Sequence, residues 1–227
     1  VKVEVMKMCQ WISAWVLPNG DVLCKPEIVS HDLIAKELGI NTRDTGRAVK
    51  IEFTPGASLL EFDSWTLTLD EPDEPEWWKS AIEGVRERMK QIARSAIPTD
   101  GAHSFDKGYH AIAGTARATV SGGDAGFHGQ SQGTVSGGSA RFYEQSKGTV
   151  SGGSARFYEQ SQGTVSGGSA TFCGQSQGTV SGGDAGFHGQ SKGTVSGGSA
   201  RFYEQSQGTV SGGEAMFYGQ SASLTTE

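Results

Sequence analysis

Cysteine, histidine and carboxylate side chains are the groups in this chain able to hold a metal, attack a carbonyl or move a proton, and their spacing works against all three. Cys9, Cys24 and His31 follow no metal-ligand spacing and are read as buried or incidental side chains. Asp124 with His128, and Asp184 with His188, place two candidate ligands four residues apart. Each pair supplies only two donors, so solvated side chains are expected there. The acidic run Asp70, Glu71, Asp73, Glu74, Glu76 is interrupted by Pro72 and Pro75 and lacks the glycine-turned loop that wraps Ca²⁺. It is expected instead to charge the first turn of the helix that follows. A glycine-rich phosphate loop after a strand, a nucleophile elbow and a paired-histidine motif are all missing from the sequence. The expectation is therefore a protein that is not an enzyme, with no catalytic, cofactor-binding or metal-binding residues.

The elements that would have to position such groups belong to two kinds of polypeptide. Of 34 glycines only five precede residue 100, whereas all five tryptophans do. Residues 1–100 read as a small α+β head, 101–114 as a connector, 115–220 as a repeat and 221–227 as a tail. In the head, "VKVEVMKM" alternates as a strand, and "WVLPNGDVLC" reads as a hairpin around Pro18-Asn19-Gly20. "SHDLIAKELG" carries Ser30 and Gly39 as helix start and stop signals. "RAVKIEF" and "LLEFDSWTLTLD" read as two strands. Pro75 is expected to open a helix with Trp78, Ile82, Val85, Met89 and Ile92 on one face. "IAKELGIN" resembles the first helix and turn of a helix-turn-helix protein. Thr45 and Gly46 then stand where the recognition helix needs an apolar anchor and continuity.

From residue 115 the chain repeats in fifteens. Val135, Val150, Val165, Val180 and Val195 share one column, and Phe142, Phe157, Phe172, Phe187 and Phe202 share another. A fixed short period of this kind marks stacked coils. Each coil contains two short strands, "TVS" and "ARFYE", joined by glycine- and serine-rich corners. Strand alternation sends Val135, Ala140 and Phe142 inward and Thr134, Ser136, Arg141 and Tyr143 outward. The fold class is thus mainly β: a C-terminal two-sheet β-solenoid of about seven 15-residue coils, with a small α+β N-terminal domain. Seven coils at the interstrand spacing make a rod of roughly 33 Å.

Two outward columns are candidate contact surfaces. His128, Tyr143, Tyr158, Cys173, His188, Tyr203 and Tyr218 form a stripe, expected to be exposed and mostly aromatic. Thr134, Thr149, Thr164, Thr179, Thr194 and Thr209 form a ladder like the ice-binding face of insect antifreeze proteins, with Ser136 and its equivalents beside it. Arg141 with Glu144, Arg156 with Glu159 and Arg201 with Glu204 appear or vanish together, which suggests ion pairs between coils.

Net charge is −6, and the first hundred residues hold 12 basic against 17 acidic side chains. That balance argues against nucleic acid as a partner, since tracking phosphates needs clustered positive charge. The longest uncharged stretch of the head is too short for a membrane span. Three widely separated cysteines fit a reducing cytoplasm better than a disulfide framework.

The stretch "TLTLDEPDEPEWWKSAIEGVRERM" followed by "TARATVSGG" repeats resembles a group of uncharacterised bacterial and phage proteins. These join a small domain ending in a similar Pro-x-Trp helix to a tail of "SATVxAxGSATV"-like solenoid repeats. The resemblance implies the same architecture and a bacterial or phage origin. The function expected is a repeat scaffold that self-associates or meets a protein partner, with the head as an N-terminal cap. Ice binding by the Thr/Ser ladders and DNA binding by the head are the alternatives.

Overall fold

A computed structural model describes residues 12–40 and 48–223. The "VKVEVMKM" segment, Cys9 and residues 41–47, with Thr45 and Gly46, lie outside the described residues. The chain divides into two units, Val1–Ala96 and Ile97–Glu227.

In the first unit, β1 (Ile12–Val16) and β2 (Val22–Cys24) form the hairpin expected around Gly20, whose φ of 85° suits the turn. β3 (Val49–Thr54) and β4 (Thr66–Leu69) complete an antiparallel sheet in the order β2-β1-β3-β4. Helix α1 (His31–Leu38) starts where Ser30 accepts from the Leu33 N–H and ends where Gly39 turns left-handed at φ 65°. Ile34 and Ala35 of α1 pack on Trp15.

Two expectations for this unit change. "LLEFDSW" is not strand, because Phe62–Ser64 make a 3-10 turn that swings Trp65 inward, where its indole N–H donates to the Leu59 carbonyl at 3.1 Å. Helix α2 (Trp78–Ala96) begins three residues after Pro75, so the acidic run precedes the helix and leaves its first turn without an acidic side chain. Trp78, Val85 and Met89 are buried as expected, joined by Ala93, while Ile82 and Ile92 are only partly covered. Among the described residues, no helix is long and apolar enough to cross a membrane.

The second unit is a two-sheet parallel β-solenoid of about eight coils. Among the described residues one sheet has nine strands, from β5 (Ala102–Phe105) to Ala222–Ser223. The other has eight, from β6 (Tyr109–Ile112) to Glu214–Phe217. Every strand pairs with the equivalent strand one repeat away, so Val135 lies beside Val150 and Phe142 beside Phe157. The stretch 101–114 is therefore the first coil and not a connector: β5 pairs with Arg117–Val120 and β6 with Asp124–Phe127. It escapes the consensus because Phe105 occupies the Val column, His110 the Ala column and Ile112 the Phe column.

Between the sheets the Val and Phe columns are fully buried from Val120 to Phe202, and Val210 and Phe217 of the last coil are partly covered. Phe rings stack at 4.6–4.8 Å with planes within 8° of parallel, the separation that adjacent β-strands impose. A third inward column falls where the sequence predicts a corner. Gly133, Gly148, Gly163, Gly178, Gly193 and Gly208 lie inside strands at ordinary φ, and a Cβ there would fall 2.4–2.6 Å from a Phe ring carbon. Glycine is required at these positions by volume, not by turn geometry. A fourth buried column is Ser131, Ser146, Ser161, Ser176, Ser191 and Ser206. Ser146 and Ser206 donate to the carbonyls of Tyr143 and Tyr203 at 2.7 Å, tying those two corners to their own strands.

Candidate functional site

The outer surfaces of the solenoid are built from columns, one residue per coil, whose positions the paired strands fix. On the exterior of the Val-bearing sheet, Thr119, Thr134, Thr149, Thr164, Thr179 and Thr194 are solvent-exposed in one register, and Thr209 is half-exposed. The adjacent outward column is long and polar: Gln132, Lys147, Gln162, Gln177 and Lys192 are exposed as well. Between the two columns runs a shallow trough floored by the strand glycines. The expected second rank of hydroxyls is less free. Ser151, Ser181, Ser196 and Ser211 each turn Oγ toward a backbone carbonyl at 3.5 Å, Val135 in the case of Ser151.

The aromatic stripe is half-buried where the sequence predicts exposure, and of its residues Tyr218 alone is exposed, at 43 %. Its rings lie face to face: His128 on Tyr143 at 4.7 Å, Tyr143 on Tyr158 at 5.2 Å, His188 on Tyr203 at 4.6 Å and Tyr203 on Tyr218 at 5.0 Å. Each ring covers the next, which is why the stripe is only partly open to solvent. Cys173 has no ring and divides the stack into two runs of three. Burial raises the Cys173 thiol above its usual range and pushes Cys24 up to about 11, so both thiols stay protonated at neutral pH.

The same stacking draws His128 and His188 half out of solvent. Burial lowers His128 from 6.5 to about 4. The unfolded chain takes up a proton near pH 6.5 that the folded chain refuses until about pH 4. Stability is therefore complete above 6.5 and falls as the pH drops through that window, by roughly 2–3 kcal/mol. Urea unfolding of the first coils, followed by hydrogen exchange at pH 7 and pH 4.5, is expected to show this loss. His128→Tyr, which continues the Tyr143 stack, is expected to remove it.

The arginine–glutamate pairing is also replaced by something else. Glu144, Glu159 and Glu204 adopt left-handed backbone at φ 57–59°, in the column that glycine fills in the other coils. Among the described residues their carboxylates meet no arginine. Each accepts from the backbone N–H one coil earlier instead: Glu159 from Glu144 at 2.9 Å, Glu204 from Gly189 at 2.6 Å, and Glu144 from Gly129. The charge-assisted bond offsets the left-handed strain, and it explains why Glu rather than another side chain enters this column.

Comparison with protein-family models, with curated proteins and with solved structures gives no match.

Proposed function

We propose that the chain is a non-enzymatic repeat scaffold whose solenoid sets its threonine-bearing face against a second copy of itself. The observation that carries this reading is the exposed Thr column. Inward columns are fixed by packing, and the glycine corners by close approach of backbones. Outward positions on the Phe-bearing sheet vary freely, as Gly126, Arg141, Thr171 and Met216 do in a single column. The Thr column is equally outward, yet it never varies from Thr119 to Thr209. High β propensity is shared by Val, Ile and Tyr, so it does not account for threonine alone. A flat row of hydroxyls beside a row of amides offers donors and acceptors that a second such face can match.

The size of that face predicts the strength of the contact. A strand of four residues by eight coils covers roughly 500 Å² per partner, at the low end for specific complexes, so association should be reversible and concentration-dependent. Light scattering over a wide concentration range tests it. A rise in mass that is lost in Thr164→Glu/Thr179→Glu, with the β-sheet spectrum unchanged, is the expected result; a monomer at every concentration overturns the reading.

The same Thr column favours one second reading, an ice-binding face. That reading calls for ice-crystal shaping at micromolar protein, abolished when Thr149 and Thr164 are made bulky. The free thiols of Cys24 and Cys173 suit a reducing compartment, which supports the cytoplasm as location. A bacterial or phage source is supported by the repeat resemblance alone.

A further inference from the structure

We propose that the N-terminal unit carries a divalent-metal site of the zinc class, formed by His31 Nδ1 with the carboxylates of Glu52 and Asp70. The three donor atoms lie within 4.8 Å of one another. They arrive from three elements: His31 opens α1, Glu52 lies on β3, and Asp70 directly follows β4. Pairing of β3 with β4 in the register Glu52 to Thr68, together with the Asp70 N–H donating to the Lys50 carbonyl at 2.8 Å, holds the two carboxylates beside each other.

His31 is the member already committed to one orientation. Its Nε2 lies 3.0 Å from the Ile51 carbonyl oxygen. A carbonyl only accepts, so this partner assigns a hydrogen to Nε2 and turns Nδ1 toward the carboxylates, where its lone pair is free in the neutral ring. The Trp15 ring stands edge-on to the imidazole at 6.2 Å, and the Trp15 indole N–H donates to the His31 carbonyl at 2.9 Å. An imidazole held through its second nitrogen by a backbone carbonyl is the usual arrangement of a metal-ligating histidine.

Distance then separates a ligand set from a hydrogen bond. His31 Nδ1 is 3.6 Å from Asp70 Oδ2, beyond hydrogen-bonding range. With the lone pair on Nδ1, two electron-rich atoms face each other at that separation and call for positive charge between them. Ligands about 2.1 Å from a tetrahedral metal stand roughly 3.4 Å apart, close to the His31–Asp70 separation. A proton on Nδ1 would satisfy His31 and Asp70 but gives the adjacent Glu52 nothing to do. Glu52 has no ion pair among the described residues, and the nearby cation, Lys50, is taken up by Glu71 at 3.9 Å and by the Trp15 ring at 5.5 Å. One imidazole nitrogen and two carboxylates suit Zn²⁺ and its neighbours better than Ca²⁺ or Mg²⁺, and leave a fourth position for water.

The test uses the full chain, stripped with EDTA and dialysed. Titration with Zn²⁺ by calorimetry and with Co²⁺ by visible absorption is expected to show one equivalent bound with a micromolar or lower dissociation constant. Asp70→Asn alters an exposed carboxylate and should leave the fold intact while weakening binding at least about tenfold, as should His31→Gln. Cys24→Ser and Cys173→Ser should bind as the parent does. Absence of binding below millimolar metal would mean that a proton fills the gap and would overturn the proposal. Binding unchanged in Asp70→Asn, or lost only in the cysteine variants, would overturn it too.

Discussion

Gly168→Ala is expected to split the solenoid at its middle. Gly168 sits at a corner with φ 73°, and an added Cβ would lie 2.5 Å from the Gly153 carbonyl oxygen and 2.9 Å from the Gly152 carbonyl carbon. Both are backbone atoms of the preceding coil and have no rotamer to escape into. Left-handed strain for a non-glycine residue contributes about 1–3 kcal/mol, and opening the corner also loses the stacked hydrogen bonds beside it, so the total should exceed about 4 kcal/mol. In a linear array that loss falls on one interface between neighbours. Hydrogen exchange should find fast amides on both sides of residue 168, with the outer coils still protected. Gly174→Ala is the control. It is left-handed too, at φ 71°, but its nearest atoms are 3.3–3.7 Å away, and Glu occupies the same column in three other coils. About 1 kcal/mol or less is expected there. Equal losses in the two variants would show that close approach of backbones does not govern the corner.

Gly163→Ala is expected to destabilise by roughly 2–3 kcal/mol, through overpacking in a dry interior. Its Cβ would fall 2.5–2.8 Å from three ring carbons of Phe157. The chain already contains the compensating pair. Ile112 takes the Phe column in the first coil, and Ala118 takes the glycine column six residues later. Phe157→Ile alone should also destabilise, since it breaks the stacks with Phe142 and Phe172 at 4.6 Å. Combined, the two changes should cost at least about 1 kcal/mol less than their sum. Chemical denaturation of the four members of the cycle measures this, and strict additivity would mean that ring and glycine do not share one space.

These two glycines also show where sequence reading succeeded and where it stopped. Val, Ala and Phe columns were legible because a buried apolar residue repeated in register has few meanings. Ser30 and Gly39 marked α1 for the same reason, each meeting one specific need of a helix end. The glycine at 163 and its equivalents looked like turn residues, because letters alone do not distinguish a glycine that bends the chain from one that makes room for a ring. The first coil was missed because Phe105 and Ile112 exchange large and small between its two columns, preserving volume while erasing the motif. Cross-coil arginine–glutamate pairs were expected from co-occurrence, whereas the carboxylate seeks an N–H that no side-chain pattern advertises. His31, Glu52 and Asp70 stand 21 and 18 residues apart, and only the antiparallel sheet with α1 beside it brings them together.

Parallel pairing in strict fifteen-residue register has a genetic consequence. Any coil flanked by consensus neighbours offers the one before it and the one after it the same surfaces, so deleting or duplicating a whole coil leaves two well-matched junctions. A slip of the replication machinery by one repeat unit would add or remove a whole number of codons and return a folded product. Alleles of this gene should therefore differ in multiples of one coil far more often than in fractions of one.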